Sequence, residues 1–212
     1  MSATDTRKYL RIVAHYEACL AQHGDNHQGV DWPNQADAEK RYRVMLEVIR
    51  PPRTAPVSLL DLGCGAAHLY DYLRAHRIEG VGYQGMDLSE RFIRLCREKH
   101  PEATFTCGDV LDPHQVVPVC DYVVMNGVFT EKRELSFDEM LDYFQKVLRR
   151  VFASARVGVA FNVMSKQVDW EREDLFHLPL DTLAFFVTRD LSRHFVIRND
   201  YGLYEYTMYL YK

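Results

Sequence analysis

Hydrophobic positions in the first fifty residues recur at helical spacing. Tyr9, Ile12, Val13, Tyr16, Cys19 and Leu20 share one face of residues 7–22, and Gly24 stops the run. A polar stretch from Asp25 to Pro33 follows. Ala38, Tyr42, Met45, Leu46 and Ile49 then mark a second helix that starts near Asn34 and ends at Pro51-Pro52. From Val57 the period changes. Short apolar runs at 57–61, up to Met86-Asp87, at 103–107, 121–125 and 157–164 alternate with helical patterns at 66–76, from Ser89 through Cys96, at 136–152 and near 180–192. Asp121 to Met125 is apolar after its first residue, as a strand buried on both faces of a parallel sheet should be. Ser89 reads as an N-cap, and Ser136 with Glu139 three residues on reads as a capping box. The last two runs, His194–Asn199 and Leu203–Tyr211, are separated only by Asp200, Tyr201 and Gly202. So short a link makes an antiparallel hairpin and no parallel crossover.

The predicted fold is therefore α/β: a doubly wound, mostly parallel sheet of seven strands, closed by a C-terminal antiparallel hairpin. Residues 1–52 form a helical lid or flank, and 53–212 form the core of one compact domain. At 212 residues the chain can bury a substantial core. Its 47% hydrophobic and 26% charged residues are ordinary for a soluble protein, and a net charge of −4 with interspersed signs argues against a dedicated nucleic-acid binder. No apolar stretch is long enough for a membrane span, and the N-terminal residues lack the apolar core of a signal peptide. The five cysteines are scattered, with no Cys-x-x-Cys pair, and read as reduced thiols of a cytoplasmic protein.

The most informative segment is 57–67, an apolar run ending in Asp61, followed by Gly63 and Gly65 and then by a helical pattern. Strand, glycine turn and helix in that order bring bare backbone against a ligand at the carboxyl edge of a parallel sheet. A dinucleotide fingerprint needs a third glycine where this chain has the bulky His68. Asp61, two residues before the first glycine, suits a ligand that carries positive charge.

Asp61-Leu-Gly63-Cys64-Gly65-Ala66-Ala67 resembles the first motif of the class I S-adenosylmethionine-dependent methyltransferases, with Ala67 where a third glycine is common. The resemblance is close over residues 57–125, and the terminal hairpin agrees with that family's seven-stranded sheet. It implies S-adenosyl-L-methionine as cofactor and a cofactor site of Asp61, Gly63, Cys64, Gly65, Asp87, Leu88, Asp109, Val110 and Asn126. Within it, Asp87 at the end of the second strand would accept the ribose hydroxyls. Asp109 would accept from the adenine amino group and the Val110 N–H would bond the ring, with Gly108 letting backbone approach it.

The acceptor side is less defined. Asn126 ends the fourth strand, where it holds the acceptor or the methionyl portion, or serves as a turn residue before Gly127. Tyr16, Trp32, Arg41 and Tyr42 are candidates for the lid and substrate contacts, with Arg41 or Tyr42 reaching the cofactor carboxylate or the substrate. His23, His177 and Tyr201 are unranked candidates for a general base. His23, Asp25 and His27 crowd one loop but match no standard metal spacing, so no metal is expected. The expected activity is methylation of an oxygen or nitrogen of a small molecule, by a monomer or homodimer, with no nucleic-acid or membrane partner. The alternatives are a protein or RNA methyltransferase, with Arg41, Arg43, Arg50, Arg53 and Lys132-Arg133 as its basic groove, and a non-catalytic S-adenosylmethionine binder.

Overall fold

The computed structural model describes residues 7–51 and 55–212. Pro52, Arg53, the 52/53 boundary and the first six residues lie outside them. Leu10–His23 (α1) and Gln35–Leu46 (α2) flank a short 3₁₀ turn, His27–Val30. Then come Val57–Leu62 (β1), His68–Ala75 (α3), Val81–Asp87 (β2), Glu90–Lys99 (α4), Thr104–Cys107 (β3), Cys120–Phe129 (β4), Phe137–Ser154 (α5), Ala155–Met164 (β5), Leu180–Asp190 (α6), His194–Arg198 (β6) and Glu205–Tyr211 (β7). The seven strands form one sheet in the order β3-β2-β1-β4-β5-β7-β6. Pairing is parallel from β3 to β5 and antiparallel at β5–β7 and β6–β7, so the hairpin's second strand inserts beside the parallel sheet.

The order reverses between β1 and β4, and that switch point opens a crevice at the carboxyl ends of the strands. The caps anticipated from the sequence are present: the Phe92 N–H bonds Ser89 Oγ, and Ser136 and Glu139 satisfy one another's backbone N–H groups. β4 runs four residues beyond the expected Met125, past a register shift between Met125 and Phe129. Gly127, at φ 81°, lets the backbone make that irregularity, and it re-aims Asn126 at the edge of the sheet.

Each sheet face has its own core. Met125, Phe144, Phe161, Phe176 and Met208 build one, beneath α5 and α6. Met45, Leu59, Ile93, Val124 and Tyr209 build the other, beneath α2, α3 and α4. β7 is buried on both faces, and its alternation sends Tyr206 to the first core and Tyr209 and Tyr211 to the second. The hydroxyls of Tyr209 and Tyr211 donate to the carbonyls of Val44 and Val48, 2.5 and 3.1 Å away, tying the end of α2 to the sheet. The two N-terminal helices thus differ in role. α2 is a layer helix that buries Ala38, Arg41, Tyr42, Val44 and Met45, whereas α1 lies across the mouth of the crevice.

Candidate active site

At the switch point lies a cavity of about 140 Å³. Its floor is the glycine turn, where Gly63 and Gly65 both have positive φ (74° and 50°), conformations that cost a residue with Cβ appreciable strain. A Cβ at Gly63 would sit 2.5 Å from Val128 Cγ2. Ala67 is left-handed too (φ 60°), so the chain carries there the strain that a third glycine would avoid.

Asp61, Gly63, Cys64, Gly65, Asp87, Leu88, Asp109, Val110 and Asn126 all line this cavity. Three carboxylates therefore meet one space, each from the end of a different strand. Asp61 is 3% exposed; it pairs in register with Gly85 of β2 and accepts a 2.8 Å hydrogen bond from Tyr83. Burial, reinforced by the nearby Asp87, pushes its carboxyl up to about 7 against the pull of the Tyr83 hydroxyl. Asp87 Oδ2 accepts from the Gly65 N–H and Oδ1 from the Ser89 N–H, both at 2.9 Å, so this carboxylate fastens the glycine turn to β2. Burial raises its carboxyl as well, while those N–H groups hold it down. Asp109 accepts from the Leu111 N–H at 2.8 Å and from the Tyr9 hydroxyl at 2.6 Å. Each carboxylate oxygen can accept two bonds and here accepts one, so both acids keep acceptor capacity for a ligand. The Oδ1 of Asn126 is buried and has no hydrogen-bond partner, a cost that a bound donor group would relieve.

The roof comes from the N-terminal segment. Tyr9, the N-cap of α1, and Ile12, Val13 and Tyr16 within it, with Val30 at the end of the 3₁₀ turn, Trp32 just beyond it and Tyr42 of α2, line the cavity from above. Glycines below make room for them: a Cβ at Gly65 would meet Val30 at 3.3 Å, and one at Gly127 would meet the Trp32 ring at 2.8 Å. The loop is latched to the core by Asp25, which binds His68 Nε2 at 2.7 Å and Lys99 Nζ at 2.9 Å and whose carboxyl those partners pull down to about 2.

Four expectations need correction. Arg41 does not line the cavity. Its Nε and Nη2 are committed to Glu205 of β7 at 2.8–3.0 Å, and its guanidinium lies 4.1 Å above the Trp32 ring. Tyr201 belongs to the same buried cluster, 2.9 Å from Thr207 Oγ1, with its phenol pushed well up by burial and by Glu205. His177 is 5% exposed; its Nδ1–H donates to the Ser165 carbonyl at 2.6 Å and its Nε2 accepts from the Arg172 N–H at 3.2 Å, leaving no free lone pair. His23 is exposed at the end of α1 and outside the cavity lining. Gly108 lines the cavity beside Asp109, and a Cβ there would also meet Gln115 Oε1 at 2.1 Å.

Tyr9, His68 and Tyr143 line the cavity without having been anticipated as site residues. Tyr9 stacks on Tyr143 with centroids 4.6 Å apart. Only His68 carried a signal, its unusual bulk at the start of the helix after a glycine turn.

The comparisons agree with this architecture. A methyltransferase domain family matches residues 60–158. Rv1506c of Mycobacterium tuberculosis, named as a candidate methyltransferase, is 30% identical over 158 residues, 72% of this chain and 92% of that protein. Among solved structures, magnesium protoporphyrin IX methyltransferase from Synechocystis with bound S-adenosylmethionine matches with a TM-score of 0.65 at 14% identity, over 100% of this chain and 99% of that one. Human N-acetylserotonin methyltransferase gives 0.59 at 12% identity, over 97% and 68%. A TehB-like methyltransferase from Corynebacterium glutamicum gives 0.54 at 14%, over 98% of both chains. The fold is that of the class I methyltransferases. The chain belongs to the S-adenosylmethionine-dependent methyltransferase family, and S-adenosylmethionine is its methyl donor. No helix among the described residues is long and apolar enough to cross a membrane.

Proposed function

We propose that this methyltransferase acts on an oxygen or nitrogen of a small molecule, from a single lid-and-core unit. The observation that carries this reading is the roof. Trp32 lies over Gly127 of β4 and Val30 over Gly65, with Tyr16 lining the same cavity, so the acceptor side is roofed by aromatic and apolar side chains. A small acceptor fits an enclosure that excludes water and fixes a near-attack geometry. The neighbours named for N-acetylserotonin and magnesium protoporphyrin IX share this fold.

In this reading the donor supplies a methyl group already activated on a sulfonium, and the chain's residues hold and orient. Asp87 accepts the ribose hydroxyls through its remaining lone pairs. Asp109 accepts from the adenine amino group beside the Tyr9 hydroxyl it already holds, with the Val110 N–H on the ring and Leu88 against its face. Asp61 sits nearest the cationic methionyl end. His68, at the N-terminus of α3 where backbone N–H groups favour an anion, faces the methionyl carboxylate. Asn126 offers its unpaired Oδ1 to the acceptor. The test is methylation of a cell extract with methyl-labelled S-adenosylmethionine, separated into metabolite and macromolecular fractions. Enzyme-dependent label in the metabolite fraction is expected; label confined to protein or RNA would overturn the reading.

A further inference from the structure

Behind the roof, turned away from the donor cavity, is a second cluster of reactive groups. His15 and Cys19 stand four residues apart on α1, so one helical turn puts them on the same face. Asp31 follows the 3₁₀ turn in a left-handed conformation (φ 57°, ψ 32°) that brings its carboxylate against them. Asp31 Oδ2 lies 2.7 Å from His15 Nε2, and Cys19 Sγ lies 3.7 Å from the same nitrogen. One ligand atom from each of the three residues falls within 4.8 Å of the other two. None of the three lines the donor cavity, yet their chain neighbours Tyr16, Val30 and Trp32 do.

We propose that His15, Cys19 and Asp31 form a binding site for a zinc-like divalent cation that clasps α1 to the loop carrying Trp32. Thiolate, imidazole and carboxylate together select zinc-type ions, because magnesium and calcium take oxygen ligands. The spacing suits it. Tetrahedral bond lengths to zinc place sulfur and nitrogen about 3.6 Å apart, close to the separation present. Nitrogen and oxygen would stand about 3.4 Å apart, so the His15–Asp31 hydrogen bond opens by roughly 0.7 Å as the ion enters between them. On binding, the Cys19 thiol releases its proton to solvent, the His15 proton moves to Nδ1, and water takes the fourth position. Glu131 is buried beside the cluster, within reach of the Asp31 charge. Arg133 lies 3.4 Å from Glu131, and its charge reaches Cys19 as well. Asp31 is twelve residues beyond Cys19 and meets it only through the fold.

The test is titration of the full chain with Co²⁺, with a phosphine as reductant. A near-ultraviolet thiolate-to-cobalt band is expected, saturating at one ion per chain and abolished by Zn²⁺. Cys19→Ser removes the band, and Asp31→Asn or His15→Asn weakens binding at least about tenfold. No saturable band, or a band that survives Cys19→Ser and so arises from another cysteine, overturns the site. The wild-type titration decides even where a variant misfolds. The clasp has its own readout: Zn²⁺ should slow proteolysis within residues 24–34, and binding without protection overturns that role.

Discussion

With the donor seated beside Asp61 as proposed, its binding should depend on pH, and the dependence has a calculable size. With its carboxyl raised to about 7 by burial, the donor-free protein holds Asp61 protonated in mildly acidic solution. The donor carries a sulfonium and an ammonium, and a cation beside Asp61 favours the carboxylate. Binding below pH 7 must therefore expel a proton, and each unit of pH costs about tenfold in affinity. Between pH 8 and pH 6 the Kd should rise about tenfold, and by pH 5 nearly a hundredfold. Calorimetry in buffers of different ionisation enthalpy should count close to one proton released at pH 6 and almost none at pH 8. Tyr83→Phe removes the hydrogen bond that favours the anion, so the loss of affinity should begin at higher pH. Asp61→Asn should bind weakly at every pH and lose the slope. A Kd flat from pH 5 to 8, with no proton released, would refute the argument.

The same shift has a stability sign. A carboxyl whose folded value lies above its unfolded one binds its proton more tightly in the native state. Its stabilising effect is complete below pH ~4 and is lost as pH rises through about 7. Three units correspond to about 4 kcal/mol of destabilisation at pH 8. Asp61→Asn should therefore raise the Tm of the donor-free protein at pH 8, by on the order of 10 °C for a chain of this size.

The corrected positions give further tests. Arg41→Ala leaves Glu205, whose side chain is 1% exposed, as an unpaired buried carboxylate, so about 3–5 kcal/mol of stability should be lost in a denaturant titration. His177→Gln should lower Tm while leaving kcat and the pH–rate profile in place; a lost acidic limb would restore His177 as a base. His68→Ala should weaken S-adenosylmethionine binding about tenfold while kcat at saturating donor holds, since the proposed contact to the methionyl carboxylate is made equally before and during transfer. Ser136→Ala should cost about 1 kcal/mol through loss of the α5 cap, read as a Tm fall of roughly 2–4 °C.

What the sequence disclosed and what it hid follow one physical division. The strand–helix alternation, the caps and the hairpin are local, written in periods of two and 3.6 and in links of a few residues. The donor end of the cavity is local in the same sense: Asp61, Asp87 and Asp109 each close a strand, and parallel pairing sets β1, β2 and β3 side by side, so reading three strand ends was enough to gather them. The roof obeys no such rule. Tyr9 meets Asp109 across 100 residues and Arg41 meets Glu205 across 164. An arginine on an amphipathic helix looks the same in sequence whether its partner is a ligand or a glutamate on the last strand. His177 illustrates the same point from the other side. Its isolation between β5 and α6 made it resemble a free base, and only the Ser165 carbonyl and the Arg172 N–H reveal an imidazole with both nitrogens spent. Long-range partners decide whether a polar residue is available for chemistry. The grouping of the proposed donor residues in one cavity was legible because backbone turns build it, and the roof was not because side chains from distant segments do.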